Sequence, residues 1–258
     1  MNNQDLRLAV LIDADNAPRS ALREIMAEVA VYGAPTIKRI YGDWTMPNME
    51  SWKPLLLEHA ISPVQQYSYT TGKNSTDSAM IIDAMDILYT GHCDGFVLVS
   101  SDSDFTRLAT RLREAGMKVY GMGEKKTPQP FIVACDRFIY IENIRAAAAK
   151  ADAVGKAREK PAAPAAKSSA KKKPAHPTLP PEIVALIAES VDDLADEDGY
   201  AYLGDLGNLL LKKQPDFDAR NFGFSKLSKL VLALGDDFQV DSRRSPNNAS
   251  TQIYLKLN

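Results

Sequence analysis

The chain has 258 residues, enough for one large domain or two modest ones, and its formal net charge is −2. Hydrophobic residues make up 45% of it and charged residues 25%, a composition that is typical of a folded soluble protein and excludes a wholly disordered one. No apolar run reaches the roughly 18 residues that a membrane span needs, and the polar start resembles no secretory signal, so we expect a cytoplasmic protein without a membrane segment.

Apolar strand-like runs alternate with helical patterns in the first 145 residues. The first strand is predicted over Leu6–Asp13, whose residues are mostly apolar, as in parallel strands that are covered on both faces. Helical spacing of apolar residues follows over Ser20–Tyr32. The remaining predicted elements are the strand PTIKRIYGD, the helix Met49–Ala60, the strand SPVQQY, the helix Asp77–Tyr89, the strand GFVLVSS, the helix Asp104–Ala115, the strand MKVYGMG and the closing segment FIVACDRFIYIENI. This alternation predicts an α/β fold, a doubly wound parallel sheet with helices on both faces.

A segment of different composition follows over residues 146–180. It is rich in Ala, Lys and Pro and has no aromatic residue, so it cannot bury enough apolar surface to offset the entropy lost on ordering. Residues 146–178 carry eight basic and two acidic side chains, which suits either a strip that contacts the phosphates of a polyanion or a solubilising linker. We predict a flexible linker between one domain over residues 1–145 and a second over residues 181–258.

Three helical patterns and a hairpin pattern make up the C-terminal part. The first helix, in PEIVALIAESVDDLA, presents one apolar face formed by Ile183, Leu186, Ile187, Val191 and Leu194. DGYAYLGDLGNLLLKK predicts a turn and a second helix, and NFGFSKLSKLVLALG predicts a third. DFQVDSRRSPNNASTQIYLKL then alternates as a two-stranded hairpin around SPNN. Three helices followed by a hairpin predict a small winged-helix domain, a variant of the helix-turn-helix.

Aspartates stand where two of the predicted strands end. Asp13 closes the first strand, and Asp102 and Asp104 follow the buried strand GFVLVSS. Ligands of such sheets bind beyond the carboxyl ends of the strands, so we expect these side chains to meet in one cleft. Each acid taken alone has a simpler explanation, because Asp is a favoured N-cap residue and acids also complement a helix dipole.

A further acid, Asp77, begins a predicted helix. We expect it to share the inward face of that helix with Ile81, Met85 and Leu88, because residues three or four apart lie on the same side of a helix. A carboxylate on a face that packs against the core is costly unless it is paired or bound to a metal.

Together, these four carboxylates predict a site for a divalent cation, because acids packed in one cleft repel each other strongly. Oxygen ligands without Cys or His favour Mg²⁺ or Mn²⁺ over Zn²⁺ as the cofactor. One or two such ions can activate water and stabilise the charge of a phosphoryl displacement. Asn16 can hydrogen-bond one of the aspartates, and Lys73 in the loop TTGKNST adds a donor for phosphate beside the cleft.

The motifs IDADN, GKNSTD, IIDAM and VLVSSDSDFTRLATRLREAGMKVYGMG resemble those of the LabA-like NYN domain, a branch of the PIN-like nuclease superfamily, over roughly residues 6–145. The resemblance implies a PIN-like α/β/α fold and a Mg²⁺- or Mn²⁺-dependent ribonuclease site. The residues that match the family's site are Asp13, Asn16, Asp77, Asp102 and Asp104. Asp83 also matches a family acid, but it projects about 120° around the helix from Asp77, so we rank it behind the others as a metal ligand.

The C-terminal pattern GY…LG…L…PDFDARNFGFSKLSKLV is similar to an OST-HTH (LOTUS) domain. The resemblance implies RNA as a partner or, in some relatives, docking to a protein partner. The candidate RNA contacts are Lys212, Lys213, Arg220, Lys226, Lys229, Arg243 and Arg244. The alternative is a solvated helix face, which the eight basic against thirteen acidic residues of residues 179–258 favour; a local basic face counts for more than net charge.

Three functions are compatible with these patterns. The first is a metal-dependent endoribonuclease whose C-terminal domain selects the RNA. The second is a non-catalytic RNA-binding adaptor that retains an acidic cleft. The third is a phosphatase of the haloacid-dehalogenase type, which the Asp-x-Asp after the first strand suggests, although Asn16 and Ala17 stand where that pattern expects other residues.

Overall fold

A computed structural model describes residues 5–67, 75–158, 179–235, 237–244 and 251–258. The chain divides into two compact units, Met1–Ala148 and Ala149–Asn258. Lys73 and most of the predicted linker, residues 159–178, lie outside the described residues. No described helix is both long enough and apolar enough to span a membrane.

The first unit is built on a six-stranded sheet in which every neighbouring pair is parallel. Its strands are β1 (Arg7–Asp13), β2 (Ala34–Gly42), β3 (Ser62–Gln65), β4 (Gly95–Val99), β5 (Lys118–Gly123) and β6 (Arg137–Tyr140). Their order across the sheet is β3-β2-β1-β4-β5-β6, so the chain runs outward from β1 in one direction and then from β4 in the other. This order confirms the predicted doubly wound α/β fold.

Helices cover both faces of this sheet. They are α1 (Leu22–Tyr32), α2 (Lys53–His59), α3 (Ser75–Thr90), α4 (Thr106–Glu114), α5 (Gln129–Ala134) and α6 (Ile141–Arg158). Apolar side chains of α1, α2 and α6 pack with Val10, Ile12 and Val97 on one face, and those of α3, α4 and α5 pack with Leu11 and Leu98 on the other. The central strands β1 and β4 are therefore buried on both sides, which explains their continuous apolar runs.

Helix α3 buries a different stripe from the one expected. Met80, Ala84 and Ile87 are its fully buried apolar residues, and the predicted Ile81, Met85 and Leu88 are only partly buried at the edge of the same core. Asp77 stands one turn before Met80 and is itself buried. The inward position of Asp77 is thus as predicted, and the stripe that continues from it is shifted by one residue.

Beyond residue 178, the described residues of the C-terminal unit form three α-helices and a small antiparallel sheet. Its elements are α7 (Pro181–Leu194), β7 (Ala201–Tyr202), α8 (Leu203–Lys213), α9 (Leu227–Leu232), β8 (Phe238–Arg244) and β9 (Thr251–Leu257). The hairpin β8–β9 is present as predicted, and the short β7 adds a third strand beside β9. The third helix is shorter than expected, because a 3₁₀ turn over Ala219–Phe222 ends at Gly223, whose φ of 83° lies in the left-handed region that favours glycine.

Candidate metal centre

The aspartates that follow β1 and β4 meet because these two strands are neighbours. Ile12 pairs with Val99 in the parallel register, so both strands end at the same edge of the sheet. Asp13 is the last residue of β1, and Ser100 is the first residue beyond β4. The Ser100 Oγ donates a hydrogen bond of 2.8 Å to the Asp13 Oδ2, which links the two strand ends directly.

Asp13 is completely buried and held by three donors. Its Oδ2 accepts hydrogen bonds from the Asn16 Nδ2 and the Ser100 Oγ, both at 2.8 Å, and its Oδ1 accepts one from the Asp15 backbone N–H at 3.0 Å. Burial raises the pKa of Asp13, and the hydrogen bonds from Asn16 and Ser100 partly oppose this rise. Because the carboxylate has no exposed surface, this arrangement disfavours Asp13 as the attacking nucleophile of a phosphatase.

Three further carboxylates form what we call the three-acid cluster: Asp77, Asp102 and Asp104. Each has one carboxylate oxygen within 4.8 Å of an oxygen of the other two. Asp77 is buried, Asp102 is half-buried and Asp104 is exposed, so the cluster opens to solvent on one side. An all-oxygen set of ligands that solvent can reach suits a hard divalent cation such as Mg²⁺ or Mn²⁺.

The pKa of Asp77 reflects both its burial and the acids around it. Burial and the neighbouring carboxylates of Asp13, Asp102 and Asp104 raise its pKa to about 6. Asp13 is therefore close enough to act on the cluster, although it does not belong to the set of three mutually close oxygens. A cation placed among these groups would remove the repulsion that disfavours their charged forms.

The loop that carries Asp102 and Asp104 is shaped by its own side chains. The Asp102 Oδ1 accepts a hydrogen bond of 2.9 Å from the Asp104 backbone N–H, and so caps the 3₁₀ turn Ser103–Phe105 that leads into α4. The Ser100 Oγ accepts a hydrogen bond of 3.1 Å from the Asp102 backbone N–H. Asp102 therefore acts as an N-cap and also belongs to the acid cluster, so the capping explanation and the metal explanation do not exclude each other.

Asp83 lies apart from this cluster. Its two carboxylate oxygens accept hydrogen bonds from the Arg39 guanidinium and from the Tyr41 hydroxyl, both carried by β2. Asp83 therefore has a cationic and a phenolic partner. Asp77 precedes it by one and two-thirds turns of α3 and lies near other acids instead.

The predicted basic contacts of the C-terminal unit fall into two groups. Lys213 pairs with Asp193 at 2.7 Å and Glu189 at 3.3 Å, Arg220 with Asp218 at 2.7 Å, and Arg243 with Asp241 at 2.8 Å. Lys212, Lys226 and Lys229 are exposed, and so is Lys213 despite its two ion pairs. Arg244 ends β8, and its side chain lies outside the described part of the chain.

Sequence reasoning missed Ser100, Arg39 and Tyr41. A signal for Ser100 was present, because it follows a continuously apolar strand at the same sheet edge as Asp13. Arg39 and Tyr41 carried no local signal, since their partner Asp83 lies more than forty positions later in the chain.

Comparison with family models assigns both parts of the chain. The NYN domain model matches residues 7–142. The chain belongs to the NYN domain family. Its NYN domain is followed by an OST-HTH/LOTUS domain over residues 177–249, as the two resemblances predicted. All acids of the three-acid cluster, together with Asp13 and Asn16, lie within the NYN domain.

Two solved structures are also similar to this NYN protein. A protein of unknown function from Vibrio parahaemolyticus RIMD 2210633 is 19% identical, with 56% of this chain and 98% of that chain covered and a TM-score of 0.48. An uncharacterized protein from Nitrosomonas europaea is 31% identical, with 38% of this chain and 92% of that chain covered and a TM-score of 0.29. No curated protein matches the chain.

Proposed function

We propose that this protein is a divalent-metal-dependent ribonuclease that cleaves RNA phosphodiester bonds at the three-acid cluster. NYN domains belong to the PIN-like nuclease superfamily, and OST-HTH/LOTUS domains bind RNA. The observation that carries the proposal is the meeting of Asp77, Asp102 and Asp104 beside the buried Asp13 at the carboxyl edge of the sheet.

The three-acid cluster would hold the ion. Its ligands are carboxylate oxygens, which fit Mg²⁺ or Mn²⁺ in charge and hardness. When bound, such an ion supplies an activated water and offsets the charge that develops on the phosphate during displacement. Asp77 lies in the first turn of a helix and Asp102 caps a 3₁₀ turn, so the backbone that carries these two acids is already ordered without an ion.

Asp13 would act beside the cluster. Asn16, Ser100 and the Asp15 backbone hold its carboxylate in one orientation, and this buried charge adds to the repulsion that Asp77 experiences. Asn16 orients Asp13 without adding charge, which is the role that an amide can fill and a second acid cannot. The charge of Asp13 therefore adds to the repulsion that a cation bound at the three-acid cluster would relieve.

The test is RNA cleavage by the full chain after removal of bound metal with EDTA and return of Mn²⁺ or Mg²⁺. Cleavage should require the ion, and Asp77→Asn and Asp102→Asn should abolish it, because each replaces a charged ligand with a neutral amide. Asp86→Asn is the matched control, since Asp86 is exposed on the same helix as Asp77 and should retain wild-type activity. Wild-type protein that cleaves neither single-stranded nor structured RNA with either ion would refute the proposal, as would full activity in Asp102→Asn.

A further inference from the structure

The outer face of the C-terminal sheet carries a group of aromatic and basic side chains. On the inner side of the strands, Ala201 and Leu255 are buried in the core of the unit. The alternate positions, Tyr202, Tyr254 and Arg243, therefore point outward. Together with Tyr200 and Lys256 we call this group the tyrosine face.

The side chains of the tyrosine face contact one another closely. The ring centroids of Tyr202 and Tyr254 are 5.6 Å apart. The Arg243 guanidinium carbon lies 4.6 Å from the ring centroids of both Tyr200 and Tyr254, and the Lys256 Nζ lies 5.5 Å from the Tyr200 ring. These contacts place three rings and two cations in one continuous patch.

The tyrosine face is both held in place and open to solvent. Arg243 is fixed by Asp241 at 2.8 Å, and the Lys256 Nζ donates a hydrogen bond of 2.9 Å to the Asp198 carbonyl oxygen. Tyr202 nevertheless remains 38% exposed, and the Arg243 side chain 41%. Because these side chains are already ordered, a partner that binds them does not incur the entropy cost of ordering them.

We propose that the tyrosine face binds single-stranded RNA. Unpaired bases stack on aromatic rings and on arginine planes, a mode that tolerates any sequence because every base has a π-face. Arg243 lies over one face of the Tyr200 and Tyr254 rings, and Lys256 lies over the Tyr200 ring, so both cations border the surface on which bases would stack and are near enough to contact the phosphates of the strand. Duplex RNA cannot bind in this way, since its bases are already stacked on each other. The inference rests on the RNA-binding part of the proposed function and is independent of cleavage.

The charges around the tyrosine face favour stacking over a purely electrostatic mode at that surface. Lys213 and Arg220, two of the helical candidates, are neutralised by acids of their own domain. On the tyrosine face itself, Asp241 neutralises part of the charge of Arg243. Because at most two cations contact phosphate there, the logarithm of the association constant should fall with the logarithm of the salt concentration with a slope of only about −0.7 to −1.4.

The test is fluorescence anisotropy of a labelled, unstructured twelve-nucleotide RNA with the full chain in EDTA, so that cleavage cannot interfere. Tyr202→Ser and Tyr254→Ser should each weaken binding by about 5- to 100-fold. Tyr254→Phe should bind within twofold of wild type, because the ring is kept. Lys256→Gln should weaken binding more than Lys212→Gln, an equal change of charge on α8. Tyr89→Ser is the control for loss of an exposed tyrosine elsewhere, since Tyr89 is 75% exposed on α3.

Each outcome decides the inference. Wild-type affinity in Tyr202→Ser and Tyr254→Ser, with or without a lowered melting temperature, would show that the rings only stabilise the sheet and would overturn it. Equal or tighter binding of duplex RNA, or no binding of single-stranded RNA by wild type, would overturn it as well. Loss of binding in the Tyr→Ser variants of a chain that cleaves no RNA would support the tyrosine face while refuting the ribonuclease. RNA cleavage by the wild-type chain, together with normal RNA binding by the Tyr→Ser variants, would support the ribonuclease and overturn the tyrosine face as the binding site.

Discussion

Among single residues, the carboxylates of the NYN domain differ in what holds them. Asp13 receives three hydrogen bonds, whereas Asp77 lies against other acids. Both pKa values are raised, and burial is the largest cause in each case. The difference matters for function, because a carboxylate among carboxylates gains most from a bound cation.

We predict that the metal-free protein becomes more stable as the pH falls from 7 to 5. The pKa of Asp77 is about 6 in the folded chain and near 4 when the chain is unfolded, so between these values the folded chain binds a proton that the unfolded chain has lost. The melting temperature in EDTA should rise over this interval, and Asp77→Asn should flatten the rise. In contrast, the affinity for Mn²⁺ should fall below pH 6, since protons compete for the same oxygens. An identical pH dependence in wild type and Asp77→Asn would contradict this assignment.

The position of α3 depends on a contact with β2. Arg39 and Tyr41 of β2 hold the Asp83 carboxylate, and the backbone carbonyl oxygen of Tyr41 accepts a hydrogen bond of 3.0 Å from the Ala14 N–H, next to Asp13. This arrangement connects the helix that carries Asp77 to the strand end that carries Asp13. Asp83 thereby holds the helix against β2, and Asp77 on the same helix belongs to the three-acid cluster.

We predict that Asp83→Asn lowers the free energy of unfolding by about 1.5–3 kcal/mol, the usual cost of losing hydrogen bonds to a charged group. Its Mn²⁺ affinity, measured by calorimetry on the folded protein, should stay within a few-fold of wild type, whereas Asp77→Asn should lose Mn²⁺ binding. Asp86→Asn, an exposed acid on α3, should change neither quantity. If Asp83→Asn loses Mn²⁺ binding to the same extent as Asp77→Asn, this prediction is contradicted and Asp83 is a metal ligand.

Elements with strong local patterns were predictable, and those that depend on distant partners were not. Residues 8–12 of β1 and all of β4 lack polar side chains because both faces of these strands are covered. The two-residue strand β7 has no pattern of its own and exists because it pairs with β9, some fifty residues later. The same holds in the site: the aspartates follow strand ends and were predicted, while the donors from β2 that hold Asp83 and the rings of the tyrosine face come together only in the folded chain.

In the molecule as a whole, the NYN domain and the OST-HTH/LOTUS domain carry separate chemistry. The first holds the three-acid cluster, which we propose binds a cation, and the second holds the tyrosine face, which we propose binds RNA. The basic segment around residues 159–178 connects two parts that each have more acidic than basic residues. If both proposals hold, one domain binds RNA and the other cleaves it, and we expect point substitutions to separate the two activities.

The most direct measurement is anomalous diffraction from crystals of the full chain soaked in Mn²⁺. We expect a manganese peak in contact with carboxylate oxygens of Asp77, Asp102 and Asp104, and no such peak in Asp102→Asn crystals. Wild-type crystals in which these three carboxylates stay without manganese, at a concentration that saturates the protein in solution, would contradict the account.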